Sequence, residues 1–522
     1  MAIIDESRNI QMTYKQLNEA SSQLACDMIS KVDKSTFSAV GSFNKPGAAF
    51  TIAMIAAWKL GKVFVPLSTN HSEKELAYFI EDSKVGLVSC SSKLELNPSF
   101  VQNTGVPIFE TDVIFKSMTE GRLENENSKI YQSLLNSDDN ADGTGDSGAL
   151  VIYTSGTTGK PKGVLHTHQS LFHMTTALVQ SWKYTEQDKI LHFLPLYHVH
   201  GLVNKLLCML YVGATVEFMD SAAAPVIWKR LAEEEQRYQR HLSTTTSKDF
   251  KSISLFMAVP TIYARMLETG NDMRQHPEQE LTLSQGVSAL KRMRLMVSGS
   301  AALPDSVLHS WQRLTGYKLL ERYGMTEIGM ALSNPYEGDR KEGHVGQPLP
   351  GVQCRLVDDS GHPIEAFDSP GELRIKGPNV FQHYLNRPDA TKETFDPEGW
   401  FKTGDVAELS TDGYYKILGR NSSDIIKSAG YKLSALEIER ELLAHPEILE
   451  AAVVGVPDEI LGERVFAVIA LRTSSSSMNS QQDPQAILRI LRSFLEDRLA
   501  QYKQPREYLL VDAIPRNHMG KV

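Results

Sequence analysis

Residues 153–163 read Tyr-Thr-Ser-Gly-Thr-Thr-Gly-Lys-Pro-Lys-Gly. They follow the apolar run Ala149–Tyr153, which has the length of a buried strand and shares Tyr153 with this stretch. The glycines let backbone N–H groups approach an anion closely, while hydroxyls and two lysines add hydrogen bonds and charge. Two residues, not four, separate Gly156 from Gly159, so this is not a Walker A loop. The stretch predicts a polyphosphate-binding loop in an α/β protein. Its candidate ligand residues are Thr154, Ser155, Gly156, Thr157, Thr158, Gly159, Lys160 and Lys162.

The pattern around this loop predicts a doubly wound α/β domain. From Tyr14 to Val88, helical stretches alternate with short apolar runs such as Phe64–Leu67, which is typical of a parallel sheet covered by helices. A further helix is expected to begin near His168. After Gly351, short β-rich runs punctuated by glycine and proline predict a small β subdomain.

The last hundred or so residues have a different character, with a helix expected over Ser434–Leu443, further apolar runs, and a helix from Pro484. We therefore predict an N-terminal domain over 1–419, with the β subdomain at about 351–419, and a smaller mobile α+β C-terminal domain over 420–522. Three polar segments are expected to be solvated loops: Met118–Gly148, Glu233–Lys251 and Thr473–Pro484.

Composition excludes several classes of protein. The 522 residues include 54 Lys+Arg and 63 Asp+Glu, a net charge of -9 that offers no footprint for nucleic acid. The four cysteines lie far apart without a C-x-x-C pair, which argues against a disulfide framework or a zinc site. No apolar run reaches the roughly 18 residues of a membrane span. Any anionic ligand must be held locally, and the oligomeric state is not indicated.

The N-terminus leaves the compartment open. Met1–Ser7 resembles neither a signal peptide nor an Arg-rich transit peptide. A mature organellar form without its presequence would look the same. Both the mitochondrial matrix and the cytoplasm therefore remain compatible with the sequence.

Further motifs follow the phosphate loop in a fixed order. Together they resemble the acyl-adenylate-forming superfamily, which includes acyl-CoA synthetases, peptide-synthetase adenylation domains and luciferases, and the resemblance covers nearly the whole chain. Besides 153–163, the matching segments are 321–327 (Glu-Arg-Tyr-Gly-Met-Thr-Glu), 400–405 (Trp-Phe-Lys-Thr-Gly-Asp), 419–420 (Gly-Arg) and 515–521 (Pro-Arg-Asn-His-Met-Gly-Lys).

The resemblance implies roles for these residues, with ATP and coenzyme A as co-substrates. Glu327 would hold Mg²⁺ against the phosphates, a task that suits a hard carboxylate, and Thr326 would contact a phosphate or acyl oxygen. Lys521 would be the catalytic lysine, and His198 would border the acyl pocket. The other implied nucleotide contacts are Ser300, Glu321, Tyr323 on the adenine, and Asp405 and Arg420 on the ribose.

The C-terminal domain would carry two more functional features. Gly430 matches a glycine that lines the pantetheine tunnel of coenzyme A, and the hinge between the domains would lie at Ser422 or Ser423, where the run departs somewhat from the family pattern. The chain ends at Val522, short of the further helix usual in such enzymes, so we expect this domain to be truncated.

A cation beside the adenine-binding tyrosine indicates which acid is used. A buried Arg322 would need an anionic partner, and arginine suits bidentate capture of a carboxylate. The residues here are most similar to those of malonyl-CoA synthetases, whose malonate pocket would correspond to Arg322, Met325, Ser300 and Arg265, with His200 as an additional residue. Arg265 could instead be a helix-surface residue that pairs with Glu268.

The resemblance therefore predicts ATP-dependent ligation of malonate to coenzyme A through a malonyl-adenylate, with methylmalonate tolerated. The alternatives are a fatty or aromatic acyl-CoA ligase in which Arg322 pairs with an internal glutamate, an adenylation domain that loads a carrier protein, and a non-catalytic nucleotide-binding regulator. Histidine pairs at 166/168 and 198/200 could suggest a metal site, but no third ligand motif accompanies either pair.

Overall fold

Two large and mostly parallel sheets form the N-terminal part of the chain, as seen in a computed structural model. The structure describes residues 1–32, 37–91, 104–119, 147–154, 160–243, 250–429, 431–472 and 484–515.

The strands, in chain order, are β1 (Ile3–Asp5), β2 (Ile10–Met12), β3 (Ala39–Phe43), β4 (Val63–Pro66), β5 (Val85–Cys90), β6 (Ile108–Glu110), β7 (Gly148–Thr154), β8 (Lys162–Thr167), β9 (Lys189–His192), β10 (Thr215–Phe218), β11 (Leu255–Ala258), β12 (Leu295–Ser298), β13 (Leu320–Met325), β14 (Gly329–Ser333), β15 (Gln347–Pro348), β16 (Gln353–Val357), β17 (Gly371–Lys376), β18 (His383–Tyr384), β19 (Phe401–Leu409), β20 (Tyr415–Arg420), β21 (Ile425–Ser428), β22 (Tyr431–Ser434), β23 (Ile448–Asp458), β24 (Gly462–Leu471) and β25 (Glu507–Val511).

The α-helices are α1 (Tyr14–Lys31), α2 (Ala48–Lys59), α3 (Glu73–Asp82), α4 (Asp112–Thr119), α5 (His168–Ser181), α6 (Cys208–Tyr211), α7 (Ala224–Ser243), α8 (Pro260–Arg274), α9 (Pro277–Lys291), α10 (Asp305–Thr315), α11 (Pro388–Thr394), α12 (Ala435–Leu443) and α13 (Pro484–Glu496). A π-helix spans His200–Leu207, and 3₁₀ turns span Glu6–Arg8 and Gln501–Lys503.

The strands form four sheets. The first large sheet has the order β15-β14-β13-β12-β11-β9-β10-β1-β2, and the second has the order β18-β8-β7-β4-β3-β5-β6. Strands β16, β17, β19 and β20 form a separate antiparallel sheet within the segment predicted as a β subdomain. In the C-terminal part, β22-β21-β24-β23 form a sheet to which β25 adds beside β24.

Both large sheets share one apolar core. Phe64 of β4, Val216 of β10 and Met174 of α5 belong to the same buried cluster, so α5 packs where the two sheets meet. A second cluster, built around Trp228 and Trp311, packs α7 to α10 on the other face of the first sheet. The C-terminal sheet and its helices have a core of their own. This layering leaves the carboxyl ends of β9, β11, β12 and β13 pointing the same way.

The predicted α/β class is confirmed, and so is the start of a helix at His168. Thr167 caps α5 because its hydroxyl accepts a hydrogen bond from the Ser170 backbone N–H at 3.1 Å. Strand β8 lies between the phosphate loop and this helix, so the loop connects two antiparallel strands, β7 and β8.

The prediction of a solvated loop over Glu233–Lys251 is wrong for its first part, because α7 continues to Ser243. This stretch is polar but rich in helix-forming Glu, Gln and Arg. One of its acids, Glu234, is buried and accepts hydrogen bonds from the Arg230 side chain at 2.8 Å and from the Ile253 backbone at 2.9 Å. Residues 244–249, and nearly all of the two other predicted loops, lie outside the described residues.

A search of the described residues for a membrane-spanning helix finds none with the required length and apolar character.

Candidate active site

The candidate site lies at the carboxyl ends of parallel strands in the first large sheet. Strand β12 ends at Ser298 and leads into Gly299-Ser300, β13 carries Arg322 and Tyr323, and β9 leads into the segment that contains His200. Ligands in open α/β sheets bind at this edge because the loops that follow parallel strands converge there. The fold therefore brings together side chains that are more than 120 residues apart in the sequence.

Arg322 is the central residue of the predicted acid pocket. Its side chain is only 3% exposed, its Nη2 donates to Ser300 Oγ at 3.1 Å, and its Nε has no hydrogen-bond acceptor among the described residues. A Cβ at Gly299 would lie 2.6 Å from Arg322 Nε, so only glycine leaves room for the guanidinium. Burial lowers the pKa of Arg322 to about 9. The pocket thus holds a cation that no described carboxylate neutralises.

Ser300 and His200 complete this pocket. Ser300 Oγ lies 3.4 Å from His200 Nδ1, and Ser300 has a positive φ of 72°, an uncommon backbone conformation for a serine. His200 is 4% exposed and begins the π-helix, a rare helix type often found at functional sites. Ser300 is itself exposed, so the pocket opens to solvent beside its hydroxyl.

The structure adds a second buried basic side chain that the sequence did not single out. Lys205, on the same π-helix as His200, is fully buried, and its Nζ donates to the carbonyls of Leu191 at 2.8 Å and Met257 at 3.2 Å. Burial holds the pKa of Lys205 well below its usual range. Strands β9 and β11 pair only through Ile190 and Leu255, so the Lys205 amine bridges carbonyls where these strands separate.

The predicted nucleotide residues meet on a second side of the site. Tyr323 Oη donates a hydrogen bond to the Asp405 carboxylate, and Arg420 Nε lies 3.2 Å from the same carboxylate. Asp405 and Arg420 are cross-strand partners on β19 and β20. The implied adenine and ribose contacts therefore form one connected group.

Glu327 is linked to the phosphate loop by Tyr384, which the sequence analysis missed. Glu327 is 6% exposed and accepts a hydrogen bond from Tyr384 Oη at 2.8 Å, while Lys162 lies over the Tyr384 ring, 4.9 Å from its centroid. Burial raises the pKa of Glu327. No sequence motif marked Tyr384, because its role depends on β18 pairing with β8 beside the loop.

The residues present fit a magnesium ion that binds mainly through substrate phosphates. No group of three or more His, Cys, Asp or Glu side chains in the described part of the chain could hold a metal on its own. Mg²⁺ commonly uses one or two carboxylates plus phosphate oxygens and water. A single buried Glu327 beside the phosphate loop meets that requirement.

His166 holds the segment that carries Glu327. The His166 Nε2 atom lies 2.7 Å from the Thr326 carbonyl oxygen, and its Nδ1 lies 3.4 Å from Ser170 Oγ. Burial lowers the pKa of His166 to about 4, so the ring stays neutral and its Nε2–H donates to the carbonyl. His166 therefore stabilises the Thr326-Glu327 turn through a hydrogen bond to its backbone.

Several predicted site residues lie elsewhere or are not in contact with the pocket. Arg265 is exposed on α8, and it has no ion pair in the described structure, neither with Glu268 nor with an acid near Arg322. The sulfur atom of Met325 lies 3.9 Å from Tyr323 Oη. His198 is half-buried, with its ring 4.6 Å from the Tyr197 ring.

Glu321 points towards the C-terminal domain. Its Oε1 accepts a hydrogen bond from the Gly343 backbone at 3.3 Å, and burial raises its pKa to about 8 although the nearby Arg440 lowers it. The other nucleotide-side residues are partly described. Thr154 is half-buried, and Lys160 is exposed with its Nζ 5.4 Å from the centroid of the Tyr78 ring. Ser155, Gly156, Thr157, Thr158, Gly159, Gly430 and Lys521 lie outside the described residues.

Two family profiles match the chain over most of its length. The profile described as "AMP-binding enzyme" matches residues 1–385, and the profile "AMP-binding enzyme C-terminal domain" matches residues 437–521. The chain belongs to the AMP-binding enzyme family.

Similar proteins within the AMP-binding enzymes include ligases of malonate and coenzyme A. The mitochondrial malonate–CoA ligase of Mus musculus is 41% identical over 98% of this chain and 85% of its own length. The malonate–CoA ligase of Arabidopsis thaliana is 40% identical over 92% of this chain and 76% of its own length.

Solved AMP-binding enzymes share the fold. ATP-bound MatB from Rhodopseudomonas palustris aligns with a TM-score of 0.79 at 30% identity, over 100% of this chain and 93% of that structure. A malonyl-CoA ligase complex with methylmalonyl-CoA and AMP aligns with a TM-score of 0.65 at 35% identity, over 99% of this chain and 96% of that structure. This AMP-binding enzyme is therefore an acyl-CoA synthetase that ligates an acid to coenzyme A, with ATP as co-substrate.

In this AMP-binding enzyme, the predicted hinge residues lie in an exposed turn between β20 and β21. Ser422 and Ser423 are both exposed, and Ser423 Oγ donates to Asp424 Oδ1 at 2.7 Å. Asp424 also accepts a hydrogen bond from the Arg420 backbone N–H at 2.9 Å. The turn is thus stabilised by Asp424, which the sequence analysis did not assign.

Proposed function

We propose that this protein joins malonate to coenzyme A through a malonyl-adenylate, with methylmalonate as a second accepted acid. The observation that carries the proposal is Arg322, a guanidinium that is 3% exposed and has a serine hydroxyl, but no carboxylate, as its described partner. A buried cation without an anion is costly, and a substrate with a second carboxylate supplies the missing partner. The malonate–CoA ligases among the similar proteins support the same acid.

The proposed reaction has two steps. One carboxylate of malonate attacks the α-phosphorus of ATP, the bond to the β-phosphate breaks, and pyrophosphate leaves with malonyl-AMP remaining. The thiol of coenzyme A then loses its proton and attacks the acyl carbonyl, and AMP leaves with the former carboxylate oxygen. The adenylate step turns a poor electrophile into a good one.

Neighbouring residues of β13 would align the acid with the nucleotide. Arg322 and Ser300 would hold the distal carboxylate of malonate, with His200 and Met325 also lining this pocket. Tyr323, the next residue of the strand, would lie on the adenine. Since one strand carries both contacts, the reacting carboxylate is directed at the α-phosphate, and such alignment contributes strongly to rate.

Further residues would complete the site. Asp405 and Arg420 would hold the ribose, and Glu321 and Ser300 would also contact the nucleotide. Arg265, which is exposed, would act as a second cation at the mouth of the pocket. His198 would border the acyl chain.

The phosphates would be held by Thr154–Lys162 and by one metal ion. Glu327 would hold Mg²⁺, which when bound neutralises charge on the departing pyrophosphate. Tyr384 keeps the Glu327 carboxylate oriented through its hydrogen bond. Thr326 would contact a phosphate or acyl oxygen, and Lys521 would stabilise the charge that develops around the α-phosphate.

The two steps would need two orientations of the C-terminal domain. Lys521 would serve the first step and Gly430 the coenzyme A tunnel of the second, yet both lie in the proposed domain 420–522. That domain would therefore reorient relative to 1–419 about Ser422 and Ser423. The exposed turn that contains both serines is compatible with this motion.

We also propose that the protein acts in the mitochondrial matrix rather than in the cytoplasm. Several similar animal enzymes carry this compartment in their names. Fractionation of cells that express the full-length protein tests this assignment. Recovery in the matrix fraction is expected, and exclusive recovery in the cytosol would contradict it.

The substrate proposal is tested by measuring acyl-CoA formation with a panel of acids. We expect the highest kcat/KM for malonate, a value for methylmalonate within about tenfold of it, and losses of at least about 10³-fold for acetate and octanoate, because these acids leave Arg322 unpaired. A higher kcat/KM for octanoate than for malonate would overturn the proposal.

A further inference from the structure

A chain of polar contacts connects Arg322 to a histidine at the start of the π-helix. Arg322 Nη2 lies 3.1 Å from Ser300 Oγ, and Ser300 Oγ lies 3.4 Å from His200 Nδ1. Arginine can only donate hydrogen bonds, so Ser300 Oγ accepts from Arg322. The hydroxyl proton of Ser300 is then available to His200 Nδ1.

The electrostatic field around His200 favours one protonation state and one tautomer. Burial lowers the pKa of His200 well below its usual range, and the charge of Arg322 lowers it further, as do Lys205, His192 and His198. The ring is therefore neutral. A lone pair on Nδ1 facing the guanidinium is favourable, whereas an N–H directed at that cation is not. The proton of the neutral ring then belongs on Nε2.

The Nε2 atom of His200 has no hydrogen-bond partner in the described part of the chain, and it is buried. Buried polar atoms in native structures are nearly always paired, so such an atom points to a ligand or an ordered water. The backbone beside His200 is closely packed, because a Cβ at Gly201 would lie 2.1 Å from the Pro195 carbonyl oxygen. His200 thus lies beside Ser300 with one donor unused.

We infer that His200 is a specificity-determining residue that binds the distal carboxylate of the acid as a neutral Nε2–H donor. Ser300 is the positioning residue that fixes this tautomer. The inference rests on the proposed function and adds to it the hydrogen bond by which the pocket recognises a carboxylate.

This arrangement matches the charge of the ligand. A carboxylate only accepts hydrogen bonds and carries one negative charge. Arg322 supplies one positive charge and four N–H donors beyond the one used by Ser300, and His200 adds a donor without adding charge. A neutral acid or amide would leave the guanidinium unpaired, and a second charged donor would leave excess positive charge in a buried site.

The strained backbone of Ser300 supports its positioning role. A serine at a φ of 72° is unfavourable, and such conformations persist where the surrounding structure imposes them, often at functional sites. This conformation places Oγ between Arg322 and His200. Ser300 is exposed while both partners are buried, so an acid entering the pocket passes its hydroxyl.

The test compares His200→Gln with His200→Asn. The glutamine amide reaches the position of Nε2 and can donate there, whereas the asparagine amide reaches only the position of Nδ1. We expect kcat/KM for malonate to fall less than about tenfold in His200→Gln and on the order of 10²-fold in His200→Asn, mainly through KM. The ratio of kcat/KM for malonate to that for acetate should likewise fall less in His200→Gln than in His200→Asn.

Equal losses in both variants, or a smaller loss in His200→Asn, would overturn the inference. A purely structural histidine would change the melting temperature and affect malonate and acetate alike. If the wild type does not use malonate at all, the proposed function fails, and this inference fails with it. If the wild type uses malonate but the two variants do not differ, only the inference fails.

A second measurement determines the tautomer of His200 directly in the wild-type enzyme. In wild-type enzyme labelled with ¹⁵N-histidine and mixed with malonate and AMP, the imidazole ¹⁵N shifts report which nitrogen carries the proton. The resonances absent from His200→Gln identify His200. We expect a protonated Nε2 and an unprotonated Nδ1 from pH 6 to 8, and the opposite tautomer or a charged ring would contradict the inference.

Discussion

Glu321 and Arg322 are neighbours on β13 with opposite charges that are both buried. Burial raises the pKa of Glu321 to about 8 and lowers the pKa of Arg322 to about 9. The two side chains do not pair: Arg322 contacts Ser300, and Glu321 contacts the Gly343 backbone. Successive side chains of a strand point to opposite faces. Arg322 therefore faces the predicted acid pocket, and Glu321 faces the C-terminal part of the chain.

The raised pKa of Glu321 makes stability depend on pH. Because the pKa in the folded protein lies above that of the unfolded chain, folding favours the protonated form, and stability falls as pH rises from about 4.5 through 8. Glu321→Gln, which keeps the shape without the charge, should melt a few degrees above the wild type at pH 8.5, with the difference shrinking towards pH 5.

Glu342→Gln is the matched control, since Glu342 belongs to the same acidic group but is solvent-accessible and lies 3.0 Å from His309. It should change the melting curve little. Parallel curves of melting temperature against pH for the wild type and Glu321→Gln would contradict the assignment. Thermal unfolding followed by circular dichroism measures both variants.

At the scale of structural elements, strand β18 pairs with β8 of the hairpin β7–β8 and carries a contact to Glu327. Tyr384 of β18 donates to Glu327, and this hydrogen bond lowers the pKa of a carboxyl that burial raises. Tyr384→Phe removes the hydroxyl, so the pKa of Glu327 should rise further and the carboxylate should hold Mg²⁺ less well. We expect the KM for ATP to increase severalfold at 1 mM Mg²⁺ and less at 20 mM, with the largest effect at low pH.

Tyr414→Phe is the control, because its hydroxyl donates to the Asp339 carbonyl at the surface. It should leave the KM for ATP within about twofold of the wild-type value. A KM for Tyr384→Phe that does not respond to the Mg²⁺ concentration would refute the link between Tyr384 and the metal site. Initial rates at several ATP and Mg²⁺ concentrations supply both values.

Elements with clear local signals could be predicted from the sequence. The strand ending at Tyr153 and the helix at His168 follow from apolar runs and a capping residue. Local signals failed where polar residues have distant partners. Glu234 looked like a loop residue but is buried against Arg230 and Ile253, and Tyr384 carried no motif although it connects Glu327 to Lys162. Such roles depend on how strands pair, which no single segment records.

The same limit applies to the acid pocket. Arg322 and Ser300 were predicted as pocket residues, and the structure brings them into contact. Lys205 was missed because the sequence does not show on which side of its helix a single lysine lies. The π-helix directs this side chain at the sheet, where it is buried. Arg265, expected in the pocket, is exposed, because α8 places it on its outer side.

At the scale of the whole molecule, Arg440 of α12 connects the C-terminal part to the active-site strand. Its Nε lies 3.6 Å from Asp305 Oδ1, and its guanidinium lies directly over Gly343, where a Cβ would be 2.2 Å away. Gly343 in turn donates to Glu321, which precedes Arg322. We therefore expect this contact to break if the proposed domain reorients.

Arg440→Ala should therefore change the balance between the two half-reactions. We expect the rate of malonate-dependent ATP–pyrophosphate exchange and the rate of thioester formation from malonyl-AMP to change by different factors, with a ratio that shifts at least about fivefold. Lys432→Ala is the control, since its ion pair with Asp359 is exposed on both sides and exposed pairs contribute little. Unchanged or equally reduced half-reactions in Arg440→Ala would contradict this role.

The central claim is that a buried Arg322 selects an acid with a second carboxylate. Its most direct test is the ratio of kcat/KM for malonate to that for acetate, measured as acyl-CoA product in the wild type and in Arg322→Gln, with Arg274→Gln, exposed in the last turn of α8, as control. We expect a ratio of at least about 10³ in the wild type, a collapse to within about tenfold of unity in Arg322→Gln, and a change below about twofold in Arg274→Gln. A ratio that Arg322→Gln leaves unchanged would contradict the account.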